Sequence, residues 1–183
     1  LLDDELAAEA AAAVGPPYLD PALRCPAELL GLVLRLSARK LLVFRLSRRT
    51  VIGAFTVNKK DGKLRLVFDC RSANVLCRPP PKSFLSTSWD LSRLRLSKHA
   101  LREGQRGQCG GTIVAVDLVD GFYLFRWTAL SSLFALLGTF SVRDVGITEA
   151  LNDNEELVPV DPDTSVFAAV GTLPMGWNWA LYF

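Results

Sequence analysis

Two carboxylates, Asp117 and Asp120, sit in the run VAVDLVDGFYLF at residues 114–125, which is otherwise apolar and aromatic. Charged groups are rarely buried unless they are paired or hold a metal. A carboxylate at the end of a rigid apolar strand suits a hard divalent ion, which takes oxygen ligands and keeps waters and phosphates in its shell. The plainer role for Asp117 is a helix N-cap at the strand end. A second concentration of chemistry lies upstream, where Lys59, Lys60, Lys63 and Arg65 crowd around Asp61 and Gly62. Ammonium and guanidinium groups on an exposed turn suit the capture of phosphates. An ordinary surface hairpin rich in lysine has the same composition.

The elements that must position these groups are legible in outline. In GAFTVNKKDGKLRLVFD two β-favouring runs flank Asp61-Gly62, which predicts a hairpin over 53–69 with positive φ angles supplied by that dipeptide. PAELLGLVLRLSARKLLVFRL, with Pro near its start and Leu and Val at helical spacing, predicts a helix. Residues 3–14 predict a shorter Ala-rich helix, closed by GPPYLDP. CRPPPKSF breaks regular structure, so Arg78 to Lys82 is expected as an extended linker. WDLSRLRLSKHALREG predicts a polar-faced helix. Residues 112–117 predict a buried strand, with a turn or short helix after it. The acidic, Pro-containing stretch 146–164 is expected as a loop, and TSVFAAVGTLPMGW as a strand followed by a tight turn.

The net charge of +2 over 183 residues conceals an asymmetry. Residues 25–110 hold 18 Lys and Arg against 5 Asp and Glu, a net of +13, whereas residues 1–24 sum to −4 and residues 111–183 to −7. A basic segment of that kind points to a polyanionic partner, or to a solvated basic surface. The four cysteines form no C-x-x-C pair and His99 is the single histidine, which argues against a zinc site. Nothing resembles a disulfide framework, so a reducing, intracellular compartment is the expectation. The acidic N-terminus is a poor signal peptide, and no apolar run is long enough and free enough of charge to span a bilayer.

KKDGKLRLVFDCRSAN, with Arg65, Asp69, Arg71 and Asn74, resembles the fingers segment of reverse transcriptases, where a Lys-rich turn, a following Arg and a D-x-R-x-x-N signature recur together. VDLVDGFYLF resembles motif A of the same polymerases, and LPMGW resembles the start of their motif B. The three stand in the family's order and span roughly residues 25 to 183. The resemblance implies an α+β fold, an incomplete right hand with a fingers hairpin and a partial palm built on an antiparallel sheet with helices on one face. It divides the chain into an acidic extension (1–24), basic fingers with a linker to the palm (25–110) and a truncated palm (111–183). It implies RNA-directed DNA polymerisation, with an RNA template, a DNA primer and deoxynucleoside triphosphates as partners and Mg²⁺ (or Mn²⁺) as cofactor. Two such ions would activate the primer hydroxyl and stabilise the leaving pyrophosphate. Asp117 matches the motif A metal ligand, with the Leu118 carbonyl as a further ligand. Asp120 and Gly121 fall where the family lines the triphosphate and sugar, and Phe122 on its steric gate against the ribose 2′-hydroxyl. Tyr123 and Phe125 are expected as core aromatics. Lys60 and Arg65 would contact the triphosphate, with Lys59 able to replace Lys60, and Met175 and Gly176 would border the nucleotide. Asp69 and Arg71 are expected as an internal ion pair or as template-side supports. Arg78, Lys82, Arg93, Arg95 and Lys98 fit sequence-independent phosphate contacts.

The pattern also departs from the family. The family often has a polar residue where Met175 stands, and small residues and a Pro where Trp179 and Leu181 stand. The spacer before LPMGW looks long, with ALNDNEELVPVDPDT as an insertion. The aromatic-x-Asp-Asp turn that completes the metal site does not follow, and the chain, starting at Leu1 and stopping at Phe183, reads as an N-terminal fragment. One carboxylate cannot hold a two-metal site, so the chain as written is expected not to polymerise. The alternative expectation is a non-catalytic retroelement remnant that at most binds nucleic acid.

Overall fold

The computed structural model describes residues 13–82, 89 and 121–180. Residues 1–80 with 120–183 form one compact unit and residues 81–119 another; all the elements named below belong to the first. The described chain is α+β. Its leading helix, α1 (Pro26–Ala38), has Pro at the first turn, where a missing N–H costs nothing, Glu28 near its start and Arg35 near its end. Leu29, Val33 and Leu36 form its buried stripe, which packs on the first strand.

The helix stops earlier than its periodicity predicts. Lys40 turns left-handed at φ 58°, and the Leu41 N–H reaches back to the Leu36 carbonyl at 3.1 Å, closing the last turn as C-terminal glycines usually do. The remaining LVFR becomes strand β1 (Leu42–Arg45). A short apolar run has no periodicity of its own to tell helix from strand. Pairing decides here, since β1 lies antiparallel to the strand Ser165–Val170 from Leu42↔Val170 to Arg45↔Phe167.

β2 (Val51–Asn58) and β3 (Leu64–Asp69) make the expected hairpin, in register from Gly53↔Asp69 to Asn58↔Leu64. Its loop is closed by Lys59 N–H to Lys63 O at 2.7 Å and Gly62 N–H to Lys59 O at 3.0 Å. Gly62 alone supplies a positive φ, 76°, as in three-residue loops that end in a left-handed glycine. Asp61 contributes differently from expectation, accepting the Lys63 N–H at 3.2 Å through its side chain. A short helix, α2 (Arg71–Val75), follows, and residues 78–82 carry neither helix nor strand.

After the turn α3 (Gly121–Leu124) come β4 (Ala135–Leu136), β5 (Phe140–Ser141), α4 (Val142–Val145), β6 (Glu149–Leu151), β7 (Leu157–Pro159) and β8 (Ser165–Val170). The stretch expected as a loop over 146–164 thus contains a hairpin. Its turn is built on Asn152, whose side-chain oxygen accepts from the N–H groups of Asn154 and Glu156 at 2.9 and 3.0 Å. The strands join in the order β3-β2-β4-β8-β1-β6-β7, with β5 also on β8. The sheet is mixed rather than antiparallel: β2 pairs parallel with β4 and β1 parallel with β6. Long connections between those partners bring the chain back in the same direction. The core lies where Val33 and Leu36 of α1 meet Phe44, Ile52, Leu136 and Val170.

One ion pair is buried between the sheet and the β6–β7 hairpin. The Arg45 guanidinium, almost fully enclosed, donates to Glu155 Oε2 at 2.8 Å, Ser131 Oγ at 2.9 Å and the Asn152 carbonyl at 3.3 Å. Among the described residues no helix is long and apolar enough to cross a membrane. The helix expected over 3–14 lies outside the described residues except for Ala13 and Val14. The helix expected from Trp89 to Gly104 lies outside them beyond Trp89, as does the strand at 112–117.

Candidate functional site

The hairpin and the LPMGW turn are held together at the base of β3. Asp69 ends β3, nearly buried, and its carboxylate is fully engaged. Arg71 Nη2 lies 2.7 Å from Oδ2 and Arg71 Nε 2.9 Å from Oδ1, a two-pronged ion pair. The backbone N–H of Tyr18 adds a third donor at 2.7 Å. The Arg71 hydrogen bonds hold the Asp69 carboxyl well below its ordinary value, at about 2, against the opposing effect of burial. The expected internal ion pair is therefore present.

Asn74, the last residue of the D-x-R-x-x-N signature, faces the turn after Met175. Its side-chain N–H donates to the Gly176 carbonyl at 3.0 Å, and its oxygen accepts the Asn178 N–H at 2.9 Å. Phe68 N–H donates to the Met175 carbonyl at 3.3 Å, and the Trp179 indole donates to the Arg78 carbonyl at 2.7 Å. Gly176 is required here: its φ is 121°, and a Cβ would collide with the Phe68 carbonyl. Two of these bonds, Asn74 to Gly176 and Phe68 to Met175, join two motifs about a hundred residues apart in sequence, and the other two tie the residues just beyond them.

The cations expected to meet phosphate sit further along the same hairpin. Residues 56–65 are exposed throughout, so Lys59, Lys60, Lys63 and Arg65 project into solvent together. Lys63 pairs with Asp61 at 3.4 Å. The Lys63 N–H holds the Asp61 carboxyl below its ordinary value, so the turn keeps its one negative charge. Lys59, Lys60 and Arg65 have no ion-pair partner among the described residues. Arg78 and Lys82 are exposed as well.

The turn resembling the end of motif A approaches this hairpin through α3. The Tyr123 hydroxyl donates to the Leu66 carbonyl of β3 at 3.5 Å, and Phe122 and Tyr123 pack against the core, half-buried. Phe125 is 45% exposed, which corrects its expected place in the core. Its backbone is used instead, since the Phe125 carbonyl accepts from Leu173 N–H at 3.1 Å. Asp117, Leu118 and Asp120 lie outside the described residues, as do Arg93, Arg95 and Lys98. Among the described residues no group of three or more His, Cys, Asp or Glu side chains could hold a metal ion. The expected Mg²⁺ ligands, Asp117 and the Leu118 carbonyl, lie outside those residues.

Sequence reasoning missed a strap at residues 15–20. It crosses β2 where Gly53 stands, so close that a Cβ at Gly53 would run into the Tyr18 carbonyl. Asp20 N–H bonds the Ala54 carbonyl at 2.9 Å, and the Tyr18 ring stands edge-on to Phe55 with centroids 5.4 Å apart. The available signal was Gly53 itself, since glycine inside a strand pattern marks close approach of another backbone.

Taken together, the class that fold and site define is an α+β chain with a basic hairpin rooted in a polar clasp. No protein-family model, curated protein or solved structure matches it.

Proposed function

We propose that the chain is the fingers and first half of the palm of a retroelement reverse transcriptase. In the intact parent it would hold an RNA template, a DNA primer and an incoming deoxynucleoside triphosphate. The observation that supports this reading most is the clasp. Asp69, Arg71 and Asn74 on one side and Met175 and Gly176 on the other were singled out by separate motif resemblances, and their segments are in contact at the root of the cationic hairpin. In this reading the hairpin cations meet phosphate, Arg65 and Lys60 foremost, and the half-buried Phe122 ring limits space at the sugar.

A second reading is a retroelement remnant that binds nucleic acid without catalysis. It is favoured by Trp179, a bulky ring tied to the Arg78 carbonyl where the family has a small residue.

The test is binding of an RNA–DNA duplex to the chain across a salt series. Neutralising each phosphate contact contributes a slope of roughly −0.9 in log K against log salt. Lys60→Ala with Arg65→Ala is expected to weaken binding and to reduce the slope by about 2. No binding at low salt, or binding indifferent to salt, overturns both readings. Primer extension by the longer parent separates them, and there Phe122→Ala is expected to raise ribonucleotide incorporation.

A further inference from the structure

The proposed function leaves aside the proline run in CRPPPKSF. Each of Pro79, Pro80 and Pro81 has its φ held near about −65° by the ring and lacks an N–H. A following proline also keeps Arg78, Pro79 and Pro80 out of the helical region. The run therefore has one regular backbone open to it, the left-handed polyproline II helix with three residues per turn. We propose that Arg78 to Lys82 is a docking motif for a protein partner whose groove is lined with aromatic rings and flanked by carboxylates. This interaction stands independently of the polymerase reading.

Burial along the run repeats every three residues. Cys77 is buried, Arg78 and Pro79 are exposed, Pro80 is half-buried, and Pro81 and Lys82 are exposed. In a threefold helix Cys77 and Pro80 share one edge, Arg78 and Pro81 a second, and Pro79 and Lys82 the third. The first edge is the covered one, and each of the other two presents one proline and one cation to solvent. The start of the run is held in place. Cys77 N–H donates to the Asn74 carbonyl at 3.2 Å, and the Trp179 indole donates to the Arg78 carbonyl at 2.7 Å. Docking on a segment that is stiff and anchored costs little further ordering. Among the described residues nothing donates to the carbonyls of Pro79, Pro80 and Pro81. These acceptors suit the Trp and Tyr donors of an aromatic-lined groove. Neither Arg78 nor Lys82 has an ion-pair partner among the described residues. About 12 Å of polyproline helix separates them, so the partner's carboxylates belong at the two ends of its groove. A nucleic acid is a poorer occupant, because the three prolines have no N–H to offer a phosphate and only the end cations would engage it.

The experiment titrates the full chain into a panel of purified SH3 and WW domains with acidic groove rims, the aromatic-lined class that takes polyproline segments. At least one domain is expected to bind. Pro79→Ala with Pro81→Ala should weaken that binding by about tenfold or more, the effect of losing an anchoring side chain. Pro80→Ala, on the covered edge, should weaken it less. Arg78→Gln with Lys82→Gln should weaken it and remove most of its salt dependence. An RNA–DNA duplex titrated in parallel should be indifferent to the proline pair. Failure of every domain to bind overturns the inference, as does binding that survives Pro79→Ala with Pro81→Ala unchanged. A larger loss from Pro80→Ala than from the pair overturns it too, because the presented edges would then be wrong. Equal losses for domain and duplex also overturn it, since they mark a general effect on the fold. A duplex affinity that falls with the proline pair while no domain binds assigns the run to nucleic acid instead.

Discussion

The side-chain amide of Asn74 acts as a strand partner for the turn at Gly176, donating to the Gly176 carbonyl at 3.0 Å and accepting from the Asn178 N–H at 2.9 Å. A carboxamide presents one donor and one acceptor in a plane, as a peptide group does. It therefore satisfies two backbone groups of the turn, Gly176 O and Asn178 N–H. Asn74→Ala removes both bonds and is expected to cost about 1–2 kcal/mol. The Asn178 amide should then exchange with solvent roughly tenfold faster. Asn74→Asp is not expected to rescue it, since a carboxylate oxygen would face the Gly176 carbonyl. Hydrogen exchange resolved at Asn178 checks this, and an unchanged rate in Asn74→Ala would mean that the Phe68–Met175 and Trp179–Arg78 bonds suffice.

Such a clasp explains which parts of the molecule could be read in advance. The β2–β3 hairpin was legible because its information is local: a turn dipeptide between two β-favouring runs. The break between α1 and β1 was not, because Leu41 to Phe44 continue the apolar pattern of the helix. Pairing with β8 and β6, over a hundred residues away, makes them a strand. β6 and β7 were hidden by their length, three residues each, in an acidic stretch whose turn depends on the single side chain of Asn152. The candidate site divides the same way. The hairpin cations and the Asp69–Arg71 pair sit close in sequence and were readable. The bonds from Asn74 to the Gly176 turn, and the strap over Gly53, are tertiary and left only isolated marks in the chain.

Asp69 should make stability depend on acid. Its carboxyl falls from the ordinary 3.8 to about 2 in the folded chain, chiefly through its hydrogen bonds from Arg71. A lowered folded value means that this stabilisation is fully present above about pH 4 and is lost as pH falls toward 2. The solvent-facing side of Arg71 screens the pair, so the contribution is about 1–2 kcal/mol. Asp69→Asn is expected to lower the denaturation midpoint at neutral pH and to flatten its decline between pH 4 and 2. A variant whose acid profile parallels the wild type would assign that decline to other carboxyls.

Lys40 offers a change in the opposite direction. It holds φ at 58° at the end of α1, a conformation that costs a residue with a Cβ about 1 kcal/mol and glycine almost nothing. Lys40→Gly is expected to be neutral or stabilising by up to about 1 kcal/mol, because relief of strain outweighs the extra freedom of the unfolded chain. Urea denaturation of the two proteins measures it. Loss of stability would show that the Lys40 side chain contributes more at this helix end than its backbone costs.

Arg45 and Glu155 provide the sharpest test of how the β6–β7 hairpin is held. Arg45 is almost wholly buried on β1, and both its terminal nitrogens meet the Glu155 carboxylate at 2.8 Å. Removing the acid leaves a buried guanidinium with, among the described residues, Ser131 and the Asn152 carbonyl as its hydrogen-bond partners, which is costly because the charge cannot regain its water. Glu155→Ala is therefore expected to destabilise by about 2–4 kcal/mol, less than for a fully enclosed pair because Glu155 itself is one-third exposed. Glu155 also sits at φ 61°, so Glu155→Gly should recover about 1 kcal/mol of that loss by removing backbone strain. Arg45→Met exchanges the guanidinium for an apolar chain of similar reach. In that background Glu155→Ala should cost little, giving a coupling energy of about 1–3 kcal/mol in the double-mutant cycle. Additive losses would mean that the β6–β7 hairpin is held by its pairing with β1 and by the Asn152 turn, with the ion pair as a bystander.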